Sequence, residues 1–259
     1  MKLRSLPKRL ARRLFGLARR REASADTLTA LADHYGTDKG AAFGGHQYTR
    51  VYSELFEKLR DRPVRVLEIG LMGMGRGGWD DDQLRDSGKA RGRDAPSLRM
   101  WTHYFPRGEI FGLDFNDFSD VRIARCRILR GDASRPADLL AAVDETGSNF
   151  DIVIDDASHR SDHQQIALGT LFPAVAPGGF YIIEDLNYQP PDREPPDAIK
   201  SVDLLRRAEV TGEFRSNHLS REAAAYLQKH VERIALFDSL VCGSTIENRD
   251  ALGVLWKRA

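Results

Sequence analysis

Cysteine is scarce in this chain. Its 259 residues hold only Cys126 and Cys242, far apart and without metal-site spacing. That argues against a disulfide scaffold and against a thiolate metal centre. Both thiols read as small buried side chains next to apolar sequence, which fits a reducing cytoplasm. No apolar run approaches the roughly 18 residues a membrane helix needs. The N-terminus also lacks the continuous apolar stretch and small-residue cleavage site of a secretory signal.

Charge is abundant but unevenly placed. The net charge of +1 hides a segment, residues 1–21, with nine Lys or Arg and no acid, leaving the rest at −8. Leu3, Leu6, Leu10, Leu14 and Leu17 are interleaved with those cations. This segment, taken as residues 1–24, reads as a basic amphipathic helix or tail. It suits peripheral membrane contact, an anionic partner or a targeting role, or else subunit packing with a solvated basic face. The acidic remainder argues against nucleic acid as a partner. A hydrophobic content of 41% with 30% charged residues is that of a chain that buries a real core, and 25–259 reads as a single domain.

Within that domain, residues 25–60 read as a helical cap, interrupted by a loop at Tyr35–Gly40 and a turn at Gly44–Tyr48. Strands follow at 64–70, 110–114, 126–129, 151–154 and 180–183. The helices between them are Leu98–Tyr104 (with Ser97 as N-cap), Pro136–Val143 and His163–Phe172. This alternation predicts an α/β, doubly wound, Rossmann-like sheet that is mostly parallel. Residues 61–185 would form its functional core. Beyond Asp185, the run Asn187-Tyr-Gln-Pro-Pro-Asp-Arg-Glu-Pro-Pro196 cannot be a regular element. It reads as a loop over the crevice, within an acceptor region 186–220. Helices at Ala198–Thr211 (Asp197 as N-cap) and Ser220–Glu232 precede strands at Ile234–Cys242 and Ala251–Lys257. These last two read as an antiparallel hairpin closing the segment 221–259.

The chemistry concentrates where strands end. Ile152-Val-Ile154 runs into Asp155-Asp156, and Tyr181-Ile-Ile183 into Glu184-Asp185. In open α/β sheets the ligand crevice lies beyond the carboxyl ends of the strands, so these acids should converge there. Crowded carboxylates protonate unless a cation neutralises them. Oxygen ligands without sulfur point to Mg²⁺ or a similar divalent ion. His159, three residues past Asp156, has the chemistry of a general base near an alcohol activated by such an ion, or caps the following helix. His163 reads as a structural hydrogen-bonder and Asp155 as an orienting group, with metal ligation left open for both. The first strand ends in Glu68-Ile-Gly70 and a Gly-rich turn, Gly70-Leu-Met-Gly73-Met-Gly75, without the dinucleotide spacing at the strand end. An acid at Glu68 would repel a pyrophosphate and suits a ligand with a cationic end. Asp114 and Asp132, ending the second and third strands, suit ribose hydroxyls and an adenine amino group, or serve as caps.

Tyr35-Gly-Thr-Asp-Lys39, Val66-Leu-Glu-Ile-Gly70, Ser97-Leu-Arg-Met-Trp101, Gly112-Leu-Asp114, Gly131-Asp132, Ile154-Asp-Asp-Ala-Ser-His159 and Ile183-Glu-Asp185 occur in this order. In that combination the chain resembles class I S-adenosylmethionine-dependent methyltransferases. More narrowly, it resembles the Mg²⁺-dependent sugar O-methyltransferases of antibiotic biosynthesis, of the macrocin and mycinamicin type. The resemblance implies S-adenosyl-L-methionine as cofactor, held by Glu68 and Gly70 at its methionine part, Asp114 at the ribose and Asp132 at the adenine. Thr37 and Ser97 would close over it. Asp156, Glu184 and Asp185 match the metal-binding carboxylates and His159 the base. A small glycoside or saccharide acceptor follows from the same likeness, and a homo-oligomer is expected through the N-terminal helices. The loop 72–96 is longer than that pattern, and Gln189-Pro-Pro191 departs from it where an acceptor would sit. Two other readings remain at this stage: a nicotinamide-linked sugar oxidoreductase and a non-catalytic scaffold. Tyr35 to Lys39, the only Tyr-x-x-x-Lys pair, precedes the first strand, which counts against the former.

Overall fold

The computed structural model describes residues 27–42, 45–71, 94–186, 194–241 and 250–259. The basic N-terminal segment, most of the 72–96 loop, Cys242, Gln189–Pro191 and the turn before Asp250 lie outside the described residues. Helices α1 (Leu28–Tyr35) and α2 (Thr49–Phe56) come first. Then follow β1 (Arg65–Ile69), α3 (Pro96–Tyr104), β2 (Glu109–Asp114), β3 (Cys126–Arg130), α4 (Pro136–Thr146), β4 (Phe150–Asp155), α5 (Ser161–Leu171) and β5 (Val175–Ile183). The chain ends with α6 (Ser201–Thr211), α7 (Arg221–His230), β6 (Val231–Phe237) and β7 (Leu252–Lys257).

The strands form one seven-stranded sheet in the order β3-β2-β1-β4-β5-β7-β6. β1 to β5 pair in parallel, while β7 is antiparallel to both β5 and β6. The order reverses between β1 and β4, and this is the switch point where an open α/β sheet leaves a crevice.

Side chains of a strand alternate between faces, and that period of two divides the core. Val66, Ile110, Ile152, Ile154, Ile182 and Val254 pack on one face with α1, α2 and α3. Leu67, Ile69, Val153, Tyr181 and Ile183 pack on the other, against residues of α4 to α7 such as Leu139, Leu168, Leu205 and Leu227. Each fully buried Leu or Ile contributes roughly 1.5–3 kcal/mol, so sandwiching by helices on both faces is what holds these apolar strands in place. No helix among the described residues is long and apolar enough to cross a membrane.

Several boundaries differ from the sequence expectation. Ser97 is not the cap of α3: Ala95 takes that place at φ +47°, and Pro96 occupies the first helical position, where its missing N–H costs nothing. Asp197 does not cap α6, which begins at Ser201 after Lys200; its carboxylate instead accepts from Asn217. Helix α7 ends at His230, two residues early, and β6 starts at Val231, three residues before the expected strand. There Val231 and Ile234 are buried against the sheet, and strand pairing outweighs helical propensity.

The half-buried Cys126 is a free thiol that opens β3. Burial first, and then the charge of Glu68, push it up to about 12, although Arg99 pulls the other way. At pH 8 its peptide should be alkylated at least ~100-fold more slowly than a free thiol, because only the thiolate reacts. Mass spectrometry of the iodoacetamide time course measures this.

Candidate active site

The period of two that builds the core also sorts the acids. Counting from Val66, Ile154 and Ile182, the next residues on the same face are Glu68, Asp156 and Glu184. All three carboxylates therefore project toward the N-terminal helices. Asp155 projects to the opposite side, where it meets Tyr181 Oη at 3.4 Å. The ladder continues past each strand end: Asp156 N–H donates to Ile69 O and Glu184 N–H to Asp155 O, both at 2.9 Å.

Lys39, almost fully buried in the loop between α1 and α2, meets all three. Its Nζ lies 2.5 Å from Asp156 Oδ2, 2.8 Å from Glu184 Oε2 and 3.2 Å from Glu68 Oε1. Burial alone would depress this ammonium, but the surrounding carboxylates outweigh it and hold Lys39 well above the usual lysine range. The cation that crowded carboxylates require is thus supplied within the chain itself, at least in part. Tyr52 Oη donates to Glu184 Oε1 at 2.5 Å, and Trp101 Nε1 to Glu68 Oε2 at 3.0 Å.

These partners leave a second cluster toward the crevice. His159 Nε2 donates to Asp156 Oδ1 at 3.1 Å and stands 3.8 Å from Asp185 Oδ2. Donor atoms of Asp156, His159 and Asp185 all lie within 4.8 Å of one another. His159 and Asp185 are held at φ +60° and φ +50°, backbone that a non-glycine residue adopts only when its surroundings impose it. Burial would lower the imidazole of His159, but Asp185 and the hydrogen bond to Asp156 raise it to about 9. Burial likewise works against ionised Asp156, yet Lys39 and His159 bring its carboxyl down to about 2.

Gly70, at φ +87°, forms the floor between β1 and β4: a Cβ there would stand 2.0 Å from Asp156 O. Asp114 ends β2 and accepts Leu71 N–H at 2.7 Å and Asn116 N–H at 2.7 Å. Asp132 follows β3 and accepts from Ser134 N–H and Oγ at 2.9 and 2.7 Å. Thr37 is buried beside Lys39, whose N–H it accepts at 3.4 Å, and Ser97 is buried in the first turn of α3 next to Glu68.

The structure thus brings Asp156, Asp185 and His159 into one donor cluster. Glu184 adjoins it with both carboxylate oxygens already hydrogen-bonded. Glu68 is buried behind Lys39, so that ammonium and Trp101 meet the carboxylate. His163 stays outside the cluster, with Nδ1 2.7 Å from Ser158 Oγ. Sequence reading missed the site roles of Lys39, Tyr48, Tyr52 and His46. The one signal for Lys39 was a cation beside an acid in a Gly-flanked loop, Gly36-Thr-Asp-Lys-Gly40.

No family model matches the chain. Over 159 residues it is 43% identical to 8-demethyl-8-alpha-L-rhamnosyl tetracenomycin-C 2'-O-methyltransferase of Streptomyces olivaceus, covering 61% of this chain and 37% of that one. Mycinamicin VI 2''-O-methyltransferase of Micromonospora griseorubida is 40% identical over 160 residues, 61% of this chain and 36% of the relative. Among solved structures, the MycE methyltransferase from the mycinamycin biosynthetic pathway, in complex with Mg, SAH and mycinamycin VI, is similar with a TM-score of 0.63. That likeness has 29% identity and covers 90% of this chain and 54% of MycE. The chain therefore spans about half of that structure and little more than a third of the curated relatives it matches. Its strand order and terminal hairpin give the chain a class I methyltransferase fold, and over part of their length it is homologous to sugar O-methyltransferases of macrolide and tetracenomycin pathways.

Proposed function

We propose that this chain transfers the methyl group of S-adenosyl-L-methionine to a sugar hydroxyl of a glycosylated natural product, with His159 as general base. The observation that carries this reading is the convergence of Asp156, Asp185 and His159 at the ends of β4 and β5. The donor set suits a hard divalent ion such as Mg²⁺: Asp156 and Asp185, whose Oδ1 and Oδ2 both face His159, would hold it through carboxylate oxygens. Glu184 would complete the set through the lone pairs its two hydrogen bonds leave over. When bound, the ion would offset the carboxylates around His159 and orient and acidify the acceptor hydroxyl.

The chain's own residues do the rest. His159, once its imidazole is neutral, takes the hydroxyl proton on its ring. Gly70 lets the backbone of Asp156 close on β1 at the switch point where the cofactor's methionine end would lie, and Asp114 and Asp132 mark out its nucleoside end along β2 and β3. Glu68 acts on the cofactor's methionine end through the buried network it shares with Lys39. Thr37 and Ser97 flank that network. The methyl group is already activated by its sulfonium, so positioning and proton removal are what the protein must contribute.

A rhamnosylated polyketide incubated with S-adenosyl-L-methionine and Mg²⁺ should gain one methyl ether by mass spectrometry, and EDTA should abolish the gain. A product unaffected by EDTA would remove the metal from the reaction. Failure with every glycoside tested, while cofactor and Mg²⁺ still bind, would remove the sugar acceptor.

A further inference from the structure

His46 has no part in the chemistry above, yet it is buried against the metal-side carboxylates. Its Nδ1 lies 2.9 Å from Asp250 Oδ1 and 3.7 Å from Asp185 Oδ1, and its Nε2 lies 3.9 Å from Asp38 Oδ2. The ring stacks on Tyr48, with centroids 5.3 Å apart and planes 21° from parallel. Tyr48 in turn accepts the backbone N–H of Asp185 at 3.2 Å. Asp185 is thus gripped at two points by one short segment before α2. It needs such a grip, because its backbone sits at φ +50°.

The two oxygens of Asp185 face different groups. Oδ1 faces His46, and Oδ2 faces His159. We propose that His46 is a positioning residue for the metal ligand Asp185: held by Asp250 and Tyr48, its ring closes off Oδ1 and turns Oδ2 toward the cation. The inference rests on the metal reading of the previous section and extends it to Asp250, two residues before β7, since Asp250 fixes the imidazole. The C-terminal hairpin then belongs to the site's support as well as to the sheet. Partners of metal ligands at this remove commonly set metal affinity by about 10- to 100-fold.

The test is calorimetric titration of Mg²⁺ into the full chain, for wild type and for His46→Phe, His46→Asn and Asp250→Asn. Phenylalanine keeps the ring on Tyr48 but has no nitrogen to offer either carboxylate. Asparagine places an amide nitrogen near the position of Nδ1. His46→Phe should weaken Mg²⁺ binding by roughly 10- to 100-fold while the affinity for S-adenosyl-L-methionine stays unchanged. His46→Asn should recover most of that loss, and Asp250→Asn should lie between them.

Equal Mg²⁺ affinity in wild type and His46→Phe would overturn the positioning role. So would a second ion bound per wild-type chain and lost in His46→Phe, because His46, Asp185 and Asp250 would then be ligands themselves. Parallel loss of cofactor and metal binding in His46→Phe would show damage to the fold and leave the decision to Asp250→Asn, where an Mg²⁺ affinity equal to wild type would overturn the role. If wild type binds no Mg²⁺, the metal reading itself falls, an outcome distinct from all of these.

Discussion

Lys39→Met should cost about 3–5 kcal/mol of stability, the range for breaking a buried ion pair by removing one partner. Methionine fills nearly the same volume, so the loss isolates the charge. Three carboxylates, Glu68, Asp156 and Glu184, would lose the one cation among the described residues that lies within 3.2 Å of them all. Glu68 and Glu184 are almost completely withdrawn from water and have no solvent to fall back on. Lys39→Met with Glu68→Gln should recover part of the loss, because the second change removes one uncompensated charge, and the pair should be non-additive. Guanidinium unfolding of the four chains measures this. A single variant within about 1 kcal/mol of wild type would show that water or a rearranged loop replaces the ammonium, and the buried hub would be wrong.

His159→Gln should lower kcat by about 10²- to 10⁴-fold, the usual contribution of a positioned general base. The affinity for S-adenosyl-L-methionine should hold, since Glu68, Gly70, Asp114 and Asp132, the proposed cofactor residues of the sheet, lie on or just past β1 to β3 and the histidine follows β4. The pH profile gives a second readout. A base must be neutral to accept a proton, so the wild-type rate should rise with pH as the imidazole, raised by Asp185 and Asp156 against burial and brought down again by a bound ion, loses its own. That rising limb should be missing in His159→Gln. A variant that retains a tenth or more of wild-type kcat with the metal still bound would assign the base to another group.

Much of the candidate site was legible because two features are written plainly into the strands. Apolar β-branched runs mark residues buried on both faces, and the acids that end those runs mark the crevice edge. What the sequence left open was which acid of a pair faces which way. Asp155 and Asp156 are neighbours in sequence, but strand alternation sends the first to Tyr181 and the second to Lys39. The partners of the acids were harder to see. Lys39 is 117 residues from Asp156 and 145 from Glu184, and no local pattern connects positions so far apart. The cation demanded by crowded carboxylates was read from the sequence as a metal alone, whereas a lysine ammonium meets part of that demand. His46 was hidden for the same reason: in sequence it lies in a glycine-rich turn, and only packing against Asp185 and Asp250 gives it a role. Boundaries failed where a tertiary contact overrode local preference, as at Val231, or where Pro96 could open a helix without help from Ser97.

The most direct test of a metal-assisted methyl transfer is calorimetric titration of Mg²⁺ and of S-adenosyl-L-methionine into wild type and Asp156→Ala. Wild type should bind both, and Asp156→Ala should keep the cofactor but lose the Mg²⁺ signal, because Oδ1 of Asp156 is the oxygen shared with His159. Mg²⁺ binding that survives in Asp156→Ala, or cofactor binding by a wild-type chain that ignores Mg²⁺ altogether, would contradict the account.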